Sequence, residues 1–138
     1  MKRTLLAGCI MFLLATWMVS GADDPAKAGQ AAPGAKRIGV EEYDQLRTRT
    51  NVVQLDVRSS AEFAKGHIPG ATNIDISSTQ FSERIAALDK GKTYLVNCAV
   101  GMRSARACQK LGSIGFTNLF DLAPGFEGWK KAGKPVAK

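Results

Sequence analysis

The sequence predicts an α/β fold built around a parallel sheet, and three observations carry that prediction. Runs of strand length, "NVVQLDV" (51–57), "KTYLVNC" (92–98) and "FTNLFDL" (116–122), are apolar and rich in β-branched or aromatic residues. Between them lie segments with apolar residues at helical spacing, such as Phe81, Ile85 and Leu88 in "TQFSERIAALDKG" (79–91). The two kinds alternate along the chain, and buried strands separated by helices imply a parallel sheet covered on both sides.

The remaining elements follow the same logic. "VEEYDQLRT" (40–48) reads as an opening helix, and "SAEFAKGH" after the first strand as a short helix and turn. "IPGATNI" (68–74) holds a short strand, "RSARACQKLGSIG" (103–115) is helical by period, and "GFEGWKKAG" (125–133) closes with one or two amphipathic turns. In such sheets ligands bind beyond the carboxyl ends of the strands. Asp56 and Cys98 stand at those ends.

The N-terminus has a different character. Lys2 and Arg3 precede nineteen uncharged, mostly apolar residues ending Ser20-Gly21-Ala22, which reads as a secretory signal cleaved after Ala22. A retained anchor is the rival reading, because a run near 20 residues just spans a bilayer, with the basic end inside. "LAGC" at 6–9 has too few apolar residues before Cys9 for a lipidation signal. Either surviving reading puts the domain in the periplasm, touching the membrane only if residues 1–22 stay attached. Residues 23–36, small, polar and bearing proline and glycine, read as a flexible linker. The domain is then 37–138, enough for one modest core.

The formal charge of +7 falls once Lys2 and Arg3 are removed, which leaves 17 basic and 12 acidic residues, a net of +5. The basic residues are scattered, so no nucleic-acid partner is expected. A mild positive field that draws small anions fits better.

Only Cys98 and Cys108 lie beyond the signal. A disulfide between them is disfavoured, because a helix from about Arg103 carries Cys108 roughly 7 Å along its axis, away from Cys98 in the preceding loop. Cys108 shares a helix face with Ala105 and Leu111 and is expected to be a buried apolar residue. Cys98 is then a lone thiol in an exported domain, which calls for a reason.

The stretch "NCAVGMRSA" (97–105) supplies one. A cysteine acts as a nucleophile only as thiolate. Gly101 lets successive N–H groups converge as an anion-binding nest, and the helix from about Arg103 directs its positive end to the same place. Arg103 adds a fixed cation that points outward to meet an anion, and Ser104 either caps the helix or bonds the sulfur. The alternative is an inert cysteine at a strand end followed by a turn and an N-cap.

Larger stretches decide between them. "LDVRSSAEFAKGHIPGATNI" (55–74), "CAVGMRS" (98–104) and "LGSIGFTNLFDLAPGFEGWKKAGKPV" (111–136) together closely resemble a single-domain rhodanese of the exported bacterial type. The resemblance covers about 37–136. It implies the rhodanese-like α/β fold, a central parallel sheet of about five strands with helices on both faces. It implies a thiosulfate sulfurtransferase, in which Cys98 takes a sulfane sulfur as a persulfide from a small donor such as thiosulfate. A thiol or cyanide acceptor then collects it. Ala99, Val100, Gly101, Met102, Arg103 and Ser104 match the loop whose amides cradle the sulfur. No metal or organic cofactor is implied, and a monomer is expected.

Spacing bears on the chemistry. Four residues separate Cys98 from Arg103, where the phosphatases of similar fold have five, and the shorter ring suits sulfur rather than a phosphoryl group. Two departures stand out. Ala99, Val100 and Met102 leave Arg103 as the loop's only charge, which favours a less charged donor or a protein partner. Pro124 replaces the usual glycine before Gly125, which stiffens that wall.

Other residues carry lesser expectations. Asp56 orients Arg58 or the loop, or caps the turn after its strand. Arg58 and Glu62, four apart, are expected to pair with each other in a supporting role. His67, in the turn "GHIPG", is expected to be structural. Phe126 and Trp129 are expected in the core, with Phe126 also near the site. Lys130, Lys131, Lys134 and Lys138 read as a solvated tail. Three competing readings stay open: a non-catalytic rhodanese-like binding or sulfur-carrier module, a phosphatase or arsenate reductase of related fold, and thiol redox through Cys98 and Cys108.

Overall fold

The computed structural model describes residues 34–138. The signal or anchor over 1–22, with its cleavage point, and the linker as far as residue 33 lie outside the described residues. The elements run β1 (Ala35–Ile38), α1 (Val40–Leu46), β2 (Val52–Asp56), α2 (Ser60–Lys65), β3 (Thr72–Asn73), α3 (Phe81–Ala86), β4 (Thr93–Asn97), α4 (Met102–Ser113), β5 (Leu119–Leu122) and α5 (Gly125–Lys131). The five strands form one sheet in the order β1-β5-β4-β2-β3, and every pairing is parallel.

Two boundaries differ from the sequence reading. β1 begins at Ala35, inside the stretch read as linker, because Ala35 is buried and pairs with Leu119. The strand expected within 68–74 is reduced to Thr72–Asn73, at the sheet edge beside β2.

Side chains on β4 alternate between two cores, as a strand period of two requires. Tyr94, Val96 and Cys98 join a cluster with Phe81 and Ile85 of α3 and Ala107, Cys108 and Leu111 of α4. Leu95 joins the opposite cluster with Tyr43 of α1 and Phe126 and Trp129 of α5. Each fully buried large apolar side chain contributes about 1.5–3 kcal/mol relative to exposure. β4 is thus central and covered on both faces, and the residue after its last position emerges at the sheet's carboxyl edge as Cys98.

The tail is tied down rather than solvated throughout. Trp129 Nε1 donates to the Pro135 carbonyl at 2.7 Å, and Lys134 bridges Glu41 and Asp44 of α1. His67 is structural here. Its ring stacks on Phe63 at 3.8 Å, Nδ1 meets the Phe63 carbonyl, and its backbone pairs with Ala137.

Candidate active site

Cys98 follows β4 directly, and the chain then turns through Ala99 and Val100 into α4. Gly101 makes that turn possible. It caps α4 in the left-handed region, φ +86°, so the helix starts one residue earlier than Arg103 and without a side-chain cap. The Gly101 amide donates to Cys98 Sγ at 3.1 Å. The thiol in turn donates to Ser104 Oγ at 3.4 Å. An ionised sulfur in this place would receive the amide, the Ser104 hydroxyl and the positive end of a twelve-residue helix.

The outer side of the loop is pinned by α5. The Phe126 amide donates to the Cys98 carbonyl at 2.8 Å and the Glu127 amide to the Ala99 carbonyl at 3.0 Å. This close approach depends on Gly125. A Cβ there would lie 2.3 Å from the Ala99 carbonyl oxygen. Pro124, the residue that departs from the usual glycine, occupies the N-cap of α5. Val100 and Met102 remain exposed at the mouth of the loop.

Arg103 does not point free into solvent. Its Nη1 and Nη2 each donate to Glu62 at 2.8 Å, and that hydrogen bonding holds the Glu62 carboxyl well below the usual carboxylate range. The outward cation expected from the sequence is therefore balanced in place. Nor does Arg58 pair with Glu62. Glu62 is the third residue of α2 in a capping box with Ser59, whereas Arg58 precedes that helix, so the i,i+4 rule does not apply to it. Arg58 instead makes a bidentate pair with the fully buried Asp56, Nη2 to Oδ2 at 2.7 Å, and donates to the Gly66 carbonyl. Its guanidinium lies 4.2 Å from the centre of the Phe126 ring. Arg58, held by Asp56, thus lines the wall beside the loop, and neither residue is hydrogen-bonded to Cys98.

Glu62→Gln is predicted to lower stability at neutral pH by about 0.5–1 kcal/mol, the modest value fitting a partly exposed pair. The Glu62 pKa is depressed in the folded state, so the pair's stabilisation is present above the ordinary carboxylate range and is lost as pH falls below it. Urea unfolding at successive pH values should show a flatter acid limb in the variant.

Cys108 is fully buried, and it and Cys98, the two cysteines among the described residues, are both free. Burial pushes its thiol pKa far up, which suits filler rather than a reactive partner. Cys108→Ala should cost about 1–2 kcal/mol in stability, with any turnover that runs through Cys98 within about twofold of the parent. Loss of turnover in that assay would revive the redox reading.

One site residue was not foreseen. Asp121, in the middle of β5, is buried. Its carboxyl pKa is raised chiefly by that burial and lowered in part by the Ser104 hydroxyl and Arg37. Arg37 Nη1 lies 3.6 Å from Oδ2. A carboxylate inside the apolar run "FTNLFDL" was the signal available in the sequence. The second unforeseen feature is a pocket of about 250 Å³ that meets the loop at Ala99 and is lined by residues of α2, α5 and the C-terminal segment.

Comparison with known proteins identifies the family. Residues 39–132 match the rhodanese-like domain. The chain belongs to that family. Over 95 residues it is 36% identical to the thiosulfate sulfurtransferase GlpE of Pseudomonas fluorescens, a match covering 69% of this chain and 84% of that one. It is 35% identical over 101 residues to an uncharacterised Synechocystis protein, covering 73% of this chain but only 55% of the relative, so it spans about half that length. The crystal structure of a rhodanese-related protein from Thermoplasma volcanium superposes with a TM-score of 0.64 at 31% identity, covering 74% of this chain and 97% of that one. The superposition sets the five-stranded parallel α/β architecture of this chain among rhodanese-like folds.

Proposed function

We propose that this rhodanese-like domain is a sulfurtransferase that carries a sulfane sulfur on Cys98. The observation that carries the reading is the sulfur at the head of α4, bonded by the Gly101 amide and Ser104 hydroxyl. The likeness to GlpE, itself named a thiosulfate sulfurtransferase, supports the same class of reaction. In the first half-reaction the Cys98 thiolate attacks the outer sulfur of thiosulfate or a similar donor, and sulfite or its equivalent leaves with the electron pair of the broken S–S bond. The loop from Ala99 to Ser104 then shelters the persulfide. In the second half-reaction an acceptor thiolate or cyanide attacks the outer sulfur and Cys98 leaves as thiolate.

With both Arg103 Nη atoms on Glu62, the loop's one cation is balanced, which favours a donor less charged than thiosulfate. The basic and apolar N-terminus supports the reading that the domain is exported, and we propose the periplasm as the compartment of the reaction.

Steady-state kinetics test the reading. Varying donor against cyanide should give parallel double-reciprocal lines, the mark of a covalent two-step cycle. Intersecting lines, or no thiocyanate from any sulfane donor, would overturn it.

A further inference from the structure

We propose that Asp121 is a positioning residue for Cys98, acting through Ser104, because the sulfur and the carboxylate compete for one hydroxyl hydrogen. This deepens the sulfur-transfer reading, on which its relevance to turnover rests, by naming what governs the thiol.

The sheet brings the three residues together. Asp121 of β5 lies in register beside Val96 of β4 and Arg37 of β1. Strand alternation then puts Asp121 on the same face as Val96 and Cys98, the face that Ala107, Cys108 and Leu111 of α4 cover. Cys98 Sγ donates to Ser104 Oγ at 3.4 Å. The same hydroxyl is close enough to Asp121 to draw down the carboxyl pKa that burial raises.

The bonding there is incomplete. Neither side-chain oxygen of Asp121 completes a hydrogen bond among the described residues, and the hydrogen of the Ser104 hydroxyl is not used in one. Cys98, Ser104 and Asp121 are 1%, 0% and 1% exposed, so these groups are left to satisfy one another. Two other ionisable side chains face Asp121. Arg37 of β1 brings Nη1 to 3.6 Å from Oδ2, and Cys108 of α4 has its pKa raised in part by the carboxylate.

One hydroxyl hydrogen cannot serve two anions. While Cys98 is a thiol it donates to Ser104 Oγ, and the Ser104 hydrogen turns to the Asp121 carboxylate. An ionised sulfur takes that hydrogen for itself and strips the buried carboxylate of it. The pocket behind the loop therefore favours one negative charge over two. The proton balance closes within the site. The Cys98 S–H proton passes to Ser104 Oγ as the Ser104 hydrogen passes to an Asp121 oxygen, and the electron pair of the S–H bond stays on sulfur.

Ultraviolet thiolate absorbance against pH, with the matching Cys98→Ser protein subtracted, tests this. Asp121→Asn removes the charge and keeps the shape, and should raise the ratio of thiolate to thiol at Cys98 about tenfold at a given pH, the effect of one charge-assisted hydrogen bond. Asp121→Val, also uncharged and suited to a strand, should do the same and serves if the asparagine form melts early. In a Ser104→Ala background most of the difference should vanish. No rise in thiolate on loss of the carboxylate, or a rise just as large without Ser104, would overturn the coupling and leave the sulfur-transfer reading standing. Conversely, a protein whose Cys98 titrates as described yet gains no sulfur from any sulfane donor would overturn that reading and leave the coupling intact.

Discussion

Replacement of Cys98 by serine is expected to abolish sulfur transfer, a loss of at least about a thousandfold, since removal of a covalent nucleophile leaves only binding and electrostatic help. The variant should fold, because serine is nearly the size of cysteine and its hydroxyl can take the Gly101 amide and meet Ser104. Thiocyanate production and thermal melting measured on the same preparation separate the two effects. A variant with intact melting and retained turnover would move the chemistry to another residue. Cys108 offers no easy substitute, being buried among apolar side chains on α4.

Gly125→Ala is expected to be among the most damaging small substitutions in the domain, destabilising it by about 4 kcal/mol or more through strain and overpacking together. Gly125 has φ +61°, and an added Cβ would lie 2.3 Å from the Ala99 carbonyl oxygen, 2.5 Å from its carbon and 2.6 Å from the Val100 nitrogen. All three are backbone atoms, so no side chain can swing aside. Relief requires α5 to withdraw from the loop, breaking the amide bonds from Phe126 and Glu127 to the Cys98 and Ala99 carbonyls. The variant should therefore lose transfer activity even where it remains folded. Urea unfolding with the activity assay checks both. A change below about 1 kcal/mol, of the size of an ordinary surface substitution, would mean the loop is not held by α5 as described.

The parallel sheet was legible because its central strands are continuous apolar runs, and Cys98 was legible because it ends one of them. β1 was not, because "AKRI" is four residues long and half charged, with only Ala35 and Ile38 buried at the sheet edge. The partner of Arg103 was missed for a local reason. Spacing offered Arg58 to Glu62, yet helix α2 starts after Arg58, and Glu62 reaches 41 residues along the chain instead. Asp121 was hidden inside an apolar run, and only the fold places it beside Ser104. The pocket could not be read at all, since Lys65, Ala99, Lys130 and Val136 meet only in three dimensions.

The most direct test of the account is the mass of the intact protein after incubation with a sulfane donor, thiosulfate first and organic persulfides next. The account predicts a gain of one sulfur atom, located at Cys98, removed by cyanide and absent in Cys98→Ser. A protein whose Cys98 can be alkylated yet gains no sulfur from any of these donors would contradict it.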